Sequence, residues 1–328
     1  MVLTDTNFGL TLTGEAEALE KAQAFMEEWR SRLPYITAHT SGSTGTPKEI
    51  RLPKGDMRVS ARATNLRFGI NATSTLHLPL SPDYIAGKMM LVRAAEAGCR
   101  IVVEKPSNHP LPEDYGFDID LMAVVPSQCD ALMKNDAAHR RLRNLIVGGA
   151  PLSPDVEERL TGMPWRSYAT YGMTETCSHV ALRQLGQQIY TAMPGITFAS
   201  DRRGCLVIEA TAYSFGSLTT NDAVQIINPT SFIWKGRYDN VINSGGIKLH
   251  AEELEALLAP HISSVFYLDG VPDEKWGTAL RLTVEAPAPS EPELEALCRR
   301  VLPRHAAPKV IRILPSIPRT SSGKIIRR

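Results

Sequence analysis

The stretch HTSGSTGTPKEIRLP, residues 39–53, holds two glycines, five hydroxyl residues, two prolines and Lys48 within fifteen positions. Glycine lacks a Cβ, so backbone N–H groups can crowd around a ligand, and serine and threonine add hydroxyl donors. With the compact charge of Lys48, that is the chemistry of a loop that wraps phosphate groups. The same composition fits a flexible surface loop equally well, so the rest of the chain has to decide. YITAHT (35–40) and KEIRLP (48–53) read as strands flanking the loop.

Outward from the loop, strands and helices alternate. Thr13 is a candidate cap for a helix over 14–30, with Leu19, Ala22, Met26 and Trp29 on one stripe. A basic helix is predicted around 54–68, a strand ending at LHLPLS, a helix over 85–97 and a buried strand in CRIVVE (99–104). The alternation recurs as MAVVPS, a helix near 127–138, and LRNLIVGG (142–149) as a second buried strand. Ser153-Pro154-Asp155 starts the next helix with a hydroxyl cap, a proline at the first position and acids in the first turn. From Gly186 to Ile227 the pattern changes to short strands, GCLVIEA, GSLTTND and AVQII. A third region, from about Asp239, reads as helix (251–259), strand (262–268), strand (279–285), helix (291–301) and strand (309–314). The fold class is therefore α/β: a large layered α/β unit over 1–238 and a small α+β unit over 239–328.

Composition narrows the function. The 328 residues are 43% hydrophobic and 22% charged, ordinary globular material with room for about two domains. A net charge of +1 gives no general attraction for nucleic acid. The five cysteines are widely spaced without a CxxC pair, which argues against a zinc site or a disulfide framework and fits a reducing compartment. No run approaches the length of a membrane span and no basic-then-apolar leader opens the chain, so a cytoplasmic location is expected. His39, His77, His179 and His250 have no metal-ligand spacing. Cys177 stands two residues from His179, but nothing in the sequence supplies a third group to orient such a pair.

The common triphosphatase loop, GxxxxGK[ST], places its lysine at the start of a helix. Here Gly42 is followed by Gly45, Pro47-Lys48 opens a β-rich segment, and Glu49 stands where the hydroxyl residue belongs. The dinucleotide pattern GxGxxG is absent as well. The stretch instead resembles the [ST]SG[ST]TGxPK loop of the acyl-adenylate-forming (AMP-binding) enzymes, at Thr40-Ser41-Gly42-Ser43-Thr44-Gly45 and Pro47-Lys48. Four further segments are similar to that family in the same order: VGGAPLS (147–153), YGMTET (171–176), TND (220–222) with KGRYDNVINSGGIKL (235–249), and PRTSSGKIIRR (318–328).

The resemblance implies a layered N-terminal domain, a small mobile C-terminal lid, and the cofactors ATP and Mg²⁺, with CoA as co-substrate. It implies that Thr40 to Gly45 and Lys48 hold phosphates, and that Gly149, Ala150 and Pro151 lie against the adenine. By the same token Tyr171, beside Gly172, stacks on the purine, Thr174 contacts the α-phosphate and Glu175 holds Mg²⁺. Asp222 binds ribose, Arg237 donates to ribose or phosphate, Asp239 is the pivot of the lid, and Lys324 is the catalytic lysine. The chemistry fits these residue types: a carboxylate attacks an anionic phosphorus, and cations lower that repulsion.

Three departures stand out. The loop begins after only 39 residues, which predicts that most of an N-terminal subdomain is missing. Tyr84 occupies a position where many relatives carry histidine, and Asn240 replaces the second aspartate of the GRxDD segment. Within the family, LPLSPDYIAGKMMLVRA and YGMTETCSHVALR look most like the o-succinylbenzoate–CoA ligases of menaquinone biosynthesis. The implied partners are then a small carboxylic acid, ATP and CoA, with no nucleic acid and no membrane span. A stand-alone adenylation enzyme feeding a carrier protein and a non-catalytic nucleotide-binding protein are the alternatives.

Overall fold

The computed structural model describes residues 2–5, 9–39, 49–319 and 325–327; Thr40 to Lys48 and Thr320 to Lys324 lie outside the described residues. Val2–Asp5 (β1) and Leu10–Gly14 (β2) open the chain as an antiparallel pair. Thr13, expected to cap the first helix, is a strand residue, opposite Val2 on one side and Val102 on the other. Backbone committed to two ladders cannot cap a helix, so α1 (Ala16–Arg30) starts beyond Gly14, whose φ of 144° lets the chain leave the strand. The expected stripe of α1 is buried, joined by Phe25. Tyr35–His39 (β3) and Glu49–Pro53 (β4) pair antiparallel, with His39 opposite Glu49, so the two ends of the loop segment are held together.

Next come α2 (Lys54–Phe68), β5 (Thr75–Leu78), α3 (Ile85–Ala97), β6 (Arg100–Val103) and β7 (Leu121–Val124). The single helix expected near 127–138 is two, α4 (Pro126–Met133) and α5 (Asp136–Arg141). Asn135 breaks them apart: its side chain accepts from Ala138 N at 2.9 Å and donates to Leu111 O at 2.7 Å. After β8 (Asn144–Val147), α6 (Pro154–Thr161) begins where its cap predicts, Ser153 Oγ accepting from Val156 N at 3.3 Å, and β9 (Arg166–Gly172) follows.

β2, β6, β5, β7, β8 and β9 lie side by side and parallel. Their residues alternate between two cores. Leu121, Ala123 and Ile146 face the core built with α1, α2 and α3, while Met122, Val124, Leu145 and Val147 face the one built with α4, α5 and α6. A strand that buries both faces reads as a continuous apolar run, which is why NLIV and LMAV stand out in the sequence.

The same sheet continues antiparallel through β10 (His179–Gln184), β11 (Ile189–Ala192), β12 (Thr197–Ser200), β13 (Cys205–Ala210), β14 (Gly216–Asn228) and β15 (Ser231–Arg237). It ends as a 13-stranded sheet, with β1 at one edge and β12 at the other. GSLTTND and AVQII are one strand, not two, with the register shifting between Ala223 and Val224.

Beyond Arg237 come the hairpin β16 (Val241–Ser244) and β17 (Ile247–His250), then α7 (Ala251–Leu258), β18 (Phe266–Asp273), β19 (Gly277–Glu285), α8 (Glu291–Val301) and β20 (Val310–Leu314). The strand expected at 262–268 starts later. The chain leaves α7 through a single turn, Ala259–His261, and Ile262 N still donates to Leu258 O. A third core, separate from the other two, draws on residues from Ile242 to Ala306. No helix among the described residues is long and apolar enough to cross a membrane.

Candidate active site

Open parallel sheets bind ligands beyond the C-terminal ends of their strands, where the connecting loops diverge. Two of the singled-out segments leave the sheet there. Past β8, Gly148 N donates to Val124 O, and Gly149 takes φ +85° to turn the exposed Ala150 and Pro151 away from the strand. At the end of β9, the backbone of Gly172 runs against the chain that returns into β10. A Cβ at Gly172 would lie 2.2 Å from Ser178 O and 2.6 Å from His179 Cα. Gly172→Ala should therefore destabilise the fold by about 1–3 kcal/mol, the usual cost of overpacking. Thermal unfolding reads this directly, and a wild-type midpoint would show that the 172–179 turn gives way without penalty.

Thr174–Thr176 forms a single helical turn. Thr176 Oγ1 accepts from Met173 N at 3.0 Å and lies 2.7 Å from Ser178 O, and Cys177 N donates to Thr174 O. The turn leaves Glu175 exposed and with no partner among the described residues.

Across the sheet, β14 and β15 bring Asp222 opposite Arg237. Asp222 is 6% exposed. It accepts from Tyr171 Oη at 2.7 Å and from Trp234 Nε1 at 3.2 Å, and Arg237 Nη1 lies 3.7 Å away. Burial first, and the Asp222 charge second, push the Tyr171 phenol far above its ordinary range, so it stays a neutral donor. Its ring meets Tyr190 and Phe232 edge-on. Arg237 also lies 3.7 Å from Asp239, which accepts from Asn221 Nδ2 at 2.9 Å. Tyr171, Asp222, Arg237 and Asp239, scattered in sequence, thus form one continuous polar cluster. The loop residues Thr40, Ser41, Gly42, Ser43, Thr44, Gly45 and Lys48, and Lys324, lie outside the described residues.

Sequence reasoning overlooked Trp234 and, more consequentially, Arg93. Arg93 sits on α3 at 1% exposure. Its Nη2 donates to Ser178 Oγ at 2.9 Å, Nη1 meets Met90 Sδ at 3.3 Å, and Nε has no partner among the described residues. No carboxylate of the described residues pairs with it, and burial pushes the guanidinium down to about 10. A lone buried cation is costly, which makes this one conspicuous. The signal was present in the sequence: Lys88, Arg93 and Glu96 are the charged residues of a helix whose other side chains are small or apolar.

Among the described residues no three histidine, cysteine or carboxylate side chains gather as they would around a metal ion. His179 Nε2 lies 3.1 Å from Thr64 Oγ1, which is also 3.1 Å from Ser60 O, and Nδ1 faces Ser178 Oγ. Burial and the Arg93 charge hold the imidazole well below its ordinary value. The Cys177 thiol is buried and pushed up to about 12. His77 is bound to Glu104 at 2.8 Å. Tyr84, at the position where many relatives carry histidine, is 64% exposed.

Residues 3–204 match the family described as AMP-binding enzyme, and residues 253–324 match the AMP-binding enzyme C-terminal domain. The chain belongs to the AMP-binding enzyme family. A 2-succinylbenzoate–CoA ligase of Listeria monocytogenes is 26% identical over 97% of this chain and 74% of its own length. An acyl-CoA synthetase (AMP-forming)/AMP-acid ligase II-like protein from Dyadobacter fermentans, known as a crystal structure, is 34% identical. The match covers 95% of this chain and 93% of that one, with a TM-score of 0.65. The O-succinylbenzoate coenzyme A synthetase of Bacillus subtilis, in complex with ATP and magnesium ion, shares the fold at a TM-score of 0.74 and 20% identity. That match covers 88% of this chain and 68% of that one.

Proposed function

We propose that the protein is an AMP-forming acid–CoA ligase whose acid is o-succinylbenzoate. In the first half-reaction the acid's carboxylate oxygen bonds to the α-phosphorus of ATP and pyrophosphate leaves. In the second the CoA sulfur bonds to the acyl carbon, AMP leaves and the thiol proton is lost. Asp222, buried and already an acceptor for two side chains, has the oxygens to take the ribose hydroxyls, with Arg237 donating beside it. Tyr171 lies against the adenine, between the Gly149-Ala150-Pro151 turn and Asp222, and Thr174 faces the α-phosphate. Thr40 to Gly45 and Lys48 hold the leaving phosphates. Glu175, exposed and unpartnered among the described residues, offers Mg²⁺ the hard oxygen it prefers alongside substrate phosphates. When bound, Mg²⁺ neutralises charge building on the phosphates. The separate core beyond Ile242 supports treating 239–328 as the lid that carries Lys324.

The observation that carries the choice of acid is Arg93. A buried guanidinium with no counter-charge among the described residues, bonded to Ser178 two residues past the Thr174–Thr176 turn, suits an acid with a second carboxylate. Benzoate has none; o-succinylbenzoate does. The Listeria relative points to the same substrate. Pyrophosphate release measured across o-succinylbenzoate, benzoate and a fatty acid, with and without CoA, should give the diacid the highest kcat/KM, with AMP and thioester forming together. A higher value for a monoacid would overturn the diacid assignment and leave the adenylation reading standing. Adenylate formed without any thioester would favour a stand-alone adenylation enzyme serving a carrier protein.

A further inference from the structure

A cleft of about 550 Å³ opens between the end of α1 and the start of α2. Four cations line it, Arg30, Arg32, Lys54 and Arg58, and no carboxylate of the described residues does. It lies at the base of the β3–β4 hairpin, where Lys54 N donates to Pro34 O beside the Tyr35–Pro53 pair. The loop segment joins the hairpin at its other end, beyond His39 and Glu49, roughly 13 Å of strand away. None of the residues lining the cleft belongs to the Tyr171–Asp222 cluster.

Counter-charge is short here. Lys54 is 5% exposed, and its Nζ donates to neutral oxygens, Glu28 O and Ser31 O at 2.8 Å and Ser31 Oγ at 3.2 Å. The Glu28 carboxylate, which acts on Lys54 through space, is shared with Lys88 at 3.7 Å. Arg58 lies over the Trp29 ring, 5.2 Å from its centre, which holds the guanidinium in place. Glu96, 3.4 Å from Arg58, is shared with Arg62 at 2.8 Å. Arg32 is exposed and has no hydrogen bond or ion pair among the described residues. A cleft lined by one sign of charge focuses its field on an ion that enters. Guanidiniums take a phosphate in a two-bond fork, and a phosphate group brings nearly two charges at neutral pH. The volume is that of a small-molecule site, and buried Lys54 is out of reach of a flat anionic surface. We propose that this cleft binds a small soluble molecule carrying phosphate groups, held by Arg32 and Arg58 beside the buried charge of Lys54. Leu33, which lines the cleft and is 53% exposed, offers apolar contact to the rest of the ligand. The site is independent of the adenylation chemistry proposed above.

Pyrophosphate is the probe. Calorimetric titration should find one more pyrophosphate bound per wild-type chain than per Gly55→Asp chain, whatever the adenylation site itself binds. A Cβ at Gly55 meets nothing within 4 Å, and an acid suits the first turn of a helix, so this variant should melt like wild type. Its carboxylate repels an anion from the cleft. Arg32→Ala removes an exposed side chain and should weaken the cleft site about tenfold, the scale of one charge-assisted hydrogen bond. Equal pyrophosphate stoichiometry in wild type and Gly55→Asp would overturn the site, and so would an unchanged affinity in Arg32→Ala. Sedimentation with phospholipid vesicles tests the other source of phosphate. Binding to anionic but not neutral vesicles, lost in Gly55→Asp, would make the ligand a lipid headgroup and overturn the soluble assignment.

Discussion

Lys324→Ala is expected to abolish acyl-AMP formation, by 10²–10³-fold or more, yet leave transfer to CoA from supplied acyl-AMP largely intact. The asymmetry follows from charge. The first step brings a carboxylate to an anionic phosphorus and needs a cation at the α-phosphate; the second has a neutral acyl carbon and a thiol. One pocket serving both steps has to exchange the groups that face it, and the lid pivoting at Asp239 is the proposed means. Asp239 sits in a single turn, Tyr238–Asn240, between the sheet that carries Asp222 and the core beyond Ile242. Asp239→Pro, which fixes φ there, should do the reverse of the lysine change, sparing adenylation and blocking thioester formation. Rapid-quench measurement of each half-reaction separates the two. Equal loss of both steps in Lys324→Ala would remove the two-orientation scheme.

Arg93→Met is expected to act in opposite directions on stability and on substrate choice. Removing a buried cation that has no counter-charge among the described residues should leave the melting temperature unchanged or raise it. The same change should lower kcat/KM for o-succinylbenzoate by about 10²-fold, the scale of losing one partner of a buried charge pair, while a monoacid such as benzoate is unaffected. Melting and a two-substrate comparison check both halves. A diacid rate equal to wild type would detach Arg93 from the acid pocket, and a sharp fall in stability would make it a structural residue.

Where one physical signal dominated, the sequence could be read closely. LMAV, and NLIV after its first residue, are apolar runs because they bury both faces, and α6 begins at its serine cap and proline. The antiparallel half was harder. β14 shows only a loose alternation, and a bulge at Ala223 breaks its period, so one long strand looked like two. Thr13 had the chemistry of a cap, but pairing with Val2 and Val102, far apart in sequence, decided its conformation. In the site, Tyr171, Asp222 and Arg237 stood in recognisable segments, and register brought them together. Arg93 stood out as a cation in a mostly apolar helix, but that no carboxylate among the described residues pairs with it is decided by packing against Ser178, far away in sequence.

All five cysteines are buried. Burial pushes Cys99, Cys129 and Cys177 up to about 12 and Cys298 to about 11, and raises Cys205 as well. A thiol that is neither ionised nor reachable does not couple to maleimides at neutral pH. The native chain is therefore chemically silent toward such dyes without any cysteine having to be replaced. Two engineered surface cysteines, one on each side of Asp239, would accept a fluorophore pair on an otherwise wild-type background. The travel proposed for the lid between half-reactions could then be sought, and timed, in single molecules.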